Sequence, residues 1–425
     1  MVKSKPTLSF NIKYPHIGCY ELSIFFFLLF NFIAMTSENS TDSILKTHYL
    51  LTYEFGFGSR MLIGSIISLF THHVTNHVIY IVGTISYVLL ISFISLLLGG
   101  AIRKSPSSMK STLIVFSVLF LASPLSVTYL LGGNFGRLDT YWFFITLLGL
   151  VFLKRPILQW MVPLLCAAAI LVHQGYLFTY MPALAIPLLY EVYKHKFSKK
   201  SIAVFSLSCL AMILLFIFFQ FFPSNIPFDN AIDFAAYLSK NSGFSPSALM
   251  LYFEYYAKFP TWFFDFTLPQ TLHYALPYGL TLLAFSAPLT IIFGYIWRQS
   301  IKHEENKFLK FIFILCVMAP LAFIPAAVFG NDWDRWWAAV VNNQFILIFY
   351  FIYSNESAVN DSVKKVGVFF EKHFLLLLMI IIFTNSLTFS AAVTEILTFV
   401  RDPSAVFKIT QNYINEFVNG ALIIR

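Results

Sequence analysis

Apolar runs of membrane-spanning length recur from residue 20 to residue 391, and charge rarely interrupts them. A bilayer core about 30 Å thick needs roughly 20 apolar residues in a helix to cross it. Within lipid the chain itself must satisfy every backbone N–H and C=O, so spanning segments fold as helices or closed barrels. The chain is 58% hydrophobic and only 11% charged, where a soluble domain carries about 25% charged residues. We therefore expect an all-α, polytopic helical membrane protein. Residues 1–425 form a single integral membrane domain, with no soluble enzyme hung on an anchor. The 50 Phe residues are too many for individual functions, and most must face lipid or pack between helices.

Short basic loops set the topology. Lys3, Lys5 and Lys13 place residues 1–18 on the cytoplasmic side. Span 1 covers about 20–36, and a polar outer segment, 37–60, follows. Residues 61–74 are apolar but short, ending at His72-His73. A full crossing there would carry Arg103, Lys104 and Lys110 to the outside. The stretch is read instead as an interfacial helix, with span 2 at 77–99. Spans 3 to 7 fall at about 111–131, 140–153, 156–172, 175–193 and 201–222. A long outer, periplasmic loop covers 223–275, and span 8 about 276–297. Spans 9 and 10 flank a charged turn at 330–337, residues 354–372 are inside, and span 11 is about 373–391. The tail, 392–425, is outside. In this arrangement inner segments hold 19 of the 28 Lys and Arg residues and outer segments 9, the bias of the positive-inside rule. The expectation is about 11 transmembrane helices, with no internal repeat.

The net charge of +8 resides in these loops, so it reports topology rather than a nucleic-acid partner. Cys19, Cys166, Cys209 and Cys316 have neither metal nor redox spacing. The first apolar run ends in Met35-Thr36-Ser37-Glu38, which reads as an uncleaved span rather than a signal peptide.

Against this background one stretch stands out: Gly330-Asn331-Asp332-Trp333-Asp334-Arg335-Trp336-Trp337. A charge at membrane depth costs about 3 kcal/mol or more, so three at one membrane edge mark a candidate site. In an extended turn Asp332 and Asp334 would share a face; at a helix start they would diverge. A carboxylate here can orient or deprotonate a hydroxyl, and two can bind a divalent cation. Arg335 can pair with a carboxylate or with phosphate through its planar fork. Trp333, Trp336 and Trp337 can stack on sugar rings, or form the aromatic belt of a membrane interface.

Three further polar clusters fall on the same outer face. Tyr53-Glu54-Phe55-Gly56-Phe57-Gly58-Ser59-Arg60 opens the interfacial helix, and Arg60 would meet lipid phosphate or a lipid-linked phosphate. Gly132-Gly133-Asn134-Phe135-Gly136-Arg137-Leu138-Asp139 leads into span 4. Free amides at a helix start favour anions, and Arg137 adds a full cation; together they can cradle a diphosphate. Asp139 can hold Arg137 in place or cap the helix. His173-Gln174-Gly175 is the outer turn between spans 5 and 6, where a histidine can move protons near neutral pH or serve as a hydrogen-bonded structural residue. The loop 223–275 is dense in Phe and Tyr, and its stretch Leu249 to Tyr256, which carries Glu254, reads as an amphipathic helix on the membrane that can cover a lipid substrate groove.

These residues carry a resemblance. Ser59-Arg60-Met61-Leu62-Ile63-Gly64 resembles an Arg-Arg-Gly-Leu-Leu-Gly pattern, and Gly136-Arg137-Leu138-Asp139 resembles Gly-Arg-Lys-Asp. His173-Gln174 sits where His-Glu is usual, and Asp332-Trp333-Asp334-Arg335-Trp336 resembles Asp-Trp-Gly-Arg-Trp. The set is similar to that of polytopic proteins of O-antigen and capsule gene clusters, including Wzy-type repeat-unit polymerases. The chain departs from it at Ser59, Gln174 and Asp334, and Gln174 weakens the case for the 173–174 pair as a general base. The resemblance implies glycan transfer from undecaprenyl diphosphate to a sugar hydroxyl at the periplasmic face of the inner membrane. The lipid-linked oligosaccharide would be substrate, and a chain-length regulator and a flippase would be pathway partners. It implies catalytic roles for Asp332, Arg335, Asp139 and His173. Substrate contacts would fall to Arg60, Arg137, Asp334, Trp333 and Glu54. No metal or other cofactor is expected.

Two rival functions fit the same face. A glycosyltransferase using a polyprenyl monophosphate sugar would employ Glu54 before the interfacial helix and a divalent cation. A lipid-linked oligosaccharide flippase would show two related halves and charges along a central cavity; the chain shows neither. A purely structural membrane partner would tolerate Asp332→Asn.

Overall fold

In the computed structural model the described residues are 17–35, 43–123, 127, 135–222, 226–256, 268–329 and 332–385. Among them the regular structure is helical, and the only strand-like feature is one isolated bridge between Val74 and Ser242. The tail 392–425 and the glycines 132–133 lie outside the described residues.

Helix α1 is Cys19–Met35. Short helices α2 (Ser43–His48) and α3 (Leu62–Ser68) follow it. Helix α4 spans Asn76–Lys104. The Thr75 hydroxyl caps its start by accepting the Val78 N–H at 3.3 Å. It stops where Pro106 follows, which cannot donate to a helical carbonyl. Arg103 and Lys104 occupy its last turn, where the helix dipole favours cations. Helices α1 and α4 cross tightly at Gly99: a Cβ there would lie 2.6 Å from the Glu21 backbone nitrogen. Just beyond, Arg103 Nε donates to Glu21 at 2.9 Å.

Helices α5 (Ser107–Ala122), α6 (Asp139–Leu153), α7 (Val162–Val172), α8 (Met181–Lys194) and α9 (Lys199–Phe221) continue the bundle. After α9 come α10 (Ala231–Ser239) and α11 (Ala248–Leu251), the latter running into a single π-helical turn, Tyr252–Tyr256. Then follow α12 (Leu268–His303), α13 (Lys307–Met318) and α14 (Phe323–Phe329). Helices α15 (Trp333–Tyr353), α16 (Ser357–Lys372) and α17 (Phe374–Asn385) complete the described chain.

Among the described residues four helical stretches are long and apolar enough to cross a membrane: Asn76–Lys104, Lys199–Phe221, Lys307–Val328 and Arg335–Tyr353. Exposed Phe26, Phe30, Phe221 and Ile291 give the bundle the apolar exterior of a membrane protein. Arg335–Tyr353 is the most enclosed of the four and the least apolar. Its middle carries Asn342, Asn343 and Gln344, all buried. Asn342 donates to the Tyr180 hydroxyl at 3.2 Å and Asn343 to the Thr179 carbonyl at 2.6 Å. Gln344 donates to the Cys316 carbonyl and accepts from the Trp297 indole. These bonds fasten α15 to its neighbours at a depth where water offers no alternative partner.

Three sequence expectations need adjustment. The segment 223–275 is not loop to its end, because α12 already begins at Leu268. The interfacial stretch 61–74 forms only a short helix, after which Leu69 and Phe70 stand exposed. Residues 354–372, expected only as an inner segment, fold as amphipathic α16, which buries Val359, Val363, Val366 and Phe370 at helical spacing.

Candidate functional site

Helix α15 starts at Trp333, which places Asp332 at the N-cap position. An aspartate there normally accepts a backbone N–H from the first turn. The Asp332 side chain makes no such bond. Its Oδ2 instead accepts from Arg335 Nη2 at 2.9 Å, and its Oδ1 from Arg137 Nη1 at 3.4 Å. Arg335 Nη1 in turn pairs with Asp139 Oδ2 at 3.4 Å. The result is an alternating series, Arg137, Asp332, Arg335, Asp139, built from two helix starts nearly two hundred residues apart.

The series has a deep end and an open end. The side chains of Asp139 and Arg335 are 3% and 11% exposed, whereas those of Arg137 and Asp332 are 27% and 46% exposed. Arg137 reaches the site because Gly136 adopts φ 83°, a conformation that a Cβ would strain. Tyr49 fixes that turn by donating its hydroxyl to the Gly136 carbonyl at 2.9 Å.

Arg60 joins from the turn before α3. Its backbone lies at φ 69°, the left-handed region that costs a non-glycine residue about 1–2 kcal/mol. The surroundings hold it there: its N–H donates to the Leu171 carbonyl at 3.1 Å. Its guanidinium pairs with Glu254, delivered by the π-helical turn after α11, and lies 3.4 Å from His48 Nε2. The Nε atoms of Arg60 and Arg137 are buried without a hydrogen-bond partner among the described residues.

Ionisation follows from this layout. Partial burial works to raise the pKa of Asp332, but Arg335, Arg137 and Arg60 outweigh it and hold the carboxylate below its usual range. Burial lowers the pKa of His48, and Arg60, Arg335 and Arg137 lower it further. His173 is lowered by burial, then by Arg60, Arg335 and His48. Burial pushes the Glu254 carboxyl up, against the pull of Arg60. The histidines and Asp332 therefore all feel a positive local field, suited to an anion.

The structure brings together Arg60, Arg137, Arg335, Asp139, Asp332 and, through the shared field, His173. His173 has a local task as well: its Nδ1 accepts the Gly175 N–H at 2.9 Å, and its ring lies edge-on to Trp142. That bond occupies one ring nitrogen in capping the turn.

Among the described side chains two expected members do not join. Glu54 is exposed in the Tyr53–Phe55 turn and makes no ion pair among the described residues. Trp333 is 6% exposed and its indole N–H donates to the Ala327 carbonyl at 2.8 Å. That ring fastens α14 to α15 and has no open face for a sugar, a correction to the stacking role expected of it. Asp334 lies in the first helical turn of α15, and its side chain lies outside the described residues.

Two members went unassigned from sequence. Glu254 is the glutamate that meets Arg60, from 194 residues away, and His48 lies beside the same guanidinium. Among the described residues no three of the His, Cys, Asp and Glu side chains are placed to hold a metal ion. Compared with known proteins, the chain matches no family model, no curated protein and no solved structure.

Proposed function

We propose that this protein polymerises lipid-linked glycan repeat units at the periplasmic face of a bacterial inner membrane, as its resemblance to Wzy-type polymerases implies. In this reading the chain crosses the membrane about eleven times, and the arginine cluster lies at the outer edge. The supporting observation is the alternating series Arg137, Asp332, Arg335 and Asp139 at two helix starts, with Arg60 close enough for its charge to help hold Asp332 ionised.

The donor's leaving group is an undecaprenyl diphosphate. As the acceptor hydroxyl oxygen bonds to the anomeric carbon, the bond from that carbon to the diphosphate oxygen breaks. Negative charge then grows on the phosphate, where preorganised cations are most effective. Arg137 and Arg335 present planar forks suited to phosphate oxygens. The Asp–Arg pairing holds them in place before substrate arrives. Arg60 comes free for the second phosphate once Glu254 is displaced. Asp332, the more exposed aspartate, accepts a hydrogen bond from the acceptor hydroxyl and orients it. A carboxylate held so firmly ionised is a weak base, so it takes the proton late, as the new carbon–oxygen bond forms.

Loss of the gene should leave one repeat unit per lipid anchor on a gel of surface glycan. Complementation with Arg137→Ala should leave the same pattern while the protein stays inserted, because removing one such donor costs about 3–4 kcal/mol. A normal ladder in that variant would overturn the assignment. A missing or altered sugar would indicate a transferase, and absence of surface units a flippase.

A further inference from the structure

Three consecutive residues at the end of α2 reach three different segments of the site. Thr47 Oγ1 accepts the N–H of Ser247, the N-cap of α11, at 2.8 Å. Tyr49 donates its hydroxyl to the Gly136 carbonyl at 2.9 Å, in the turn that delivers Arg137. His48 lies between them, buried, with its Nε2 3.4 Å from Arg60 Nη1. Both of its neighbours are tied down without help from Arg60, so the imidazole is a fixed point against which that guanidinium can rest.

A guanidinium carries only N–H donors, so the ring nitrogen that it meets must supply a lone pair. Nε2 of His48 is therefore the acceptor, Nδ1 bears the proton, and the ring is neutral. Burial, and after it Arg60, Arg335 and Arg137, disfavour the charged ring in the same sense. The other acid–base groups of the site are engaged elsewhere. Asp332 and Asp139 pair with arginines of the series, and His173 Nδ1 accepts the Gly175 N–H. Glu254 shares Arg60 with His48 but differs in kind. A carboxylate competes with phosphate for a guanidinium, whereas a neutral acceptor can stay when the phosphate arrives. Arg60 Nε is buried without a hydrogen-bond partner among the described residues, so the fork keeps a donor for a ligand while Nη1 is held.

On the reading that Arg60 receives the second phosphate of the donor, we infer that His48 is a positioning residue, which keeps the Arg60 guanidinium in place for the diphosphate after Glu254 withdraws. Pyrophosphate titrated into the full-length protein in mild detergent, read by calorimetry, tests this. His48→Leu removes the acceptor and should weaken binding about tenfold, the effect of losing a hydrogen bond to a charged group. His48→Gln, whose side-chain carbonyl can take the place of Nε2, should restore most of the affinity. Arg60→Gln should itself weaken binding, and adding His48→Leu to it should change nothing further, because no guanidinium is left to hold. Unchanged affinity in His48→Leu, or an equal loss in His48→Gln, would overturn the inference. So would the same loss from His48→Leu with and without Arg60, which is what general damage to the fold would give. Arg60→Gln with undiminished affinity would overturn the reading on which the inference rests, and the inference with it.

Discussion

Arg335→Ala should damage stability and activity by two routes that can be separated. The guanidinium faces Asp139, whose side chain is 3% exposed, and Asp332, which also keeps Arg137. Removing one partner of a buried ion pair costs about 3–5 kcal/mol, because the other charge stays buried without it. The Arg335–Asp139 separation is 3.4 Å and Arg137 still acts on Asp139, so the low end, about 3 kcal/mol, applies. Neutralising the aspartate as well removes most of that penalty. The double variant Arg335→Ala/Asp139→Asn should therefore be more stable than Arg335→Ala alone. The coupling should be about 1–3 kcal/mol in a double-mutant cycle, measured by unfolding the purified protein in mixed micelles. Glycan extension should behave differently. It should fall about 10²–10³-fold in the single variant and stay low in the double one, because a transition-state cation is still missing. A double variant that regains both stability and long-chain product would refute the reasoning: Arg335 would then serve only to neutralise Asp139.

Other perturbations test neighbouring claims. Glu254→Gln removes the internal anion from Arg60 and should tighten pyrophosphate binding about tenfold, read by calorimetry; weaker binding would mean that Glu254 positions Arg60 for its ligand. His48 and His173 have folded-state pKa values below the about 6.5 of a free histidine. The unfolded chain therefore binds more protons below that pH, and stability should fall on acidification through it. The variant His48→Gln/His173→Gln should flatten that slope in unfolding measured from pH 7 to 5. Trp333→Phe should cost about 1 kcal/mol of stability through the lost bond to Ala327, with an unchanged glycan ladder.

The membrane helices were legible because lipid makes one demand on every residue of a span, and a run such as Ile79 to Gly99 meets it without tertiary information. The start of α12 was harder to see. Its first turns carry Pro269 in the polar company of Gln270, Thr271 and His273, so hydropathy places the boundary at residue 276. The arginines of the site were visible because each is an expensive residue at an apolar edge. Their partners were not. Glu54 precedes Arg60 closely in sequence, yet Glu254 is the residue that meets it, and only the packing of α11 and its π-helical turn against residues 47–60 decides between the two. Trp333 shows the converse: its position in a charged turn suggested recognition, while the start of α15 turned its ring inward.

The buried amides at the middle of α15 have a mechanical consequence. A helix of 21 residues bonded at Asn342, Asn343 and Gln344, and again at Trp333 and Tyr353, is held along its whole length. A push at either end is resisted by bonds at the middle and at the far end as well. Asn343→Leu would loosen the middle alone, and would leave the Thr179 carbonyl without its donor.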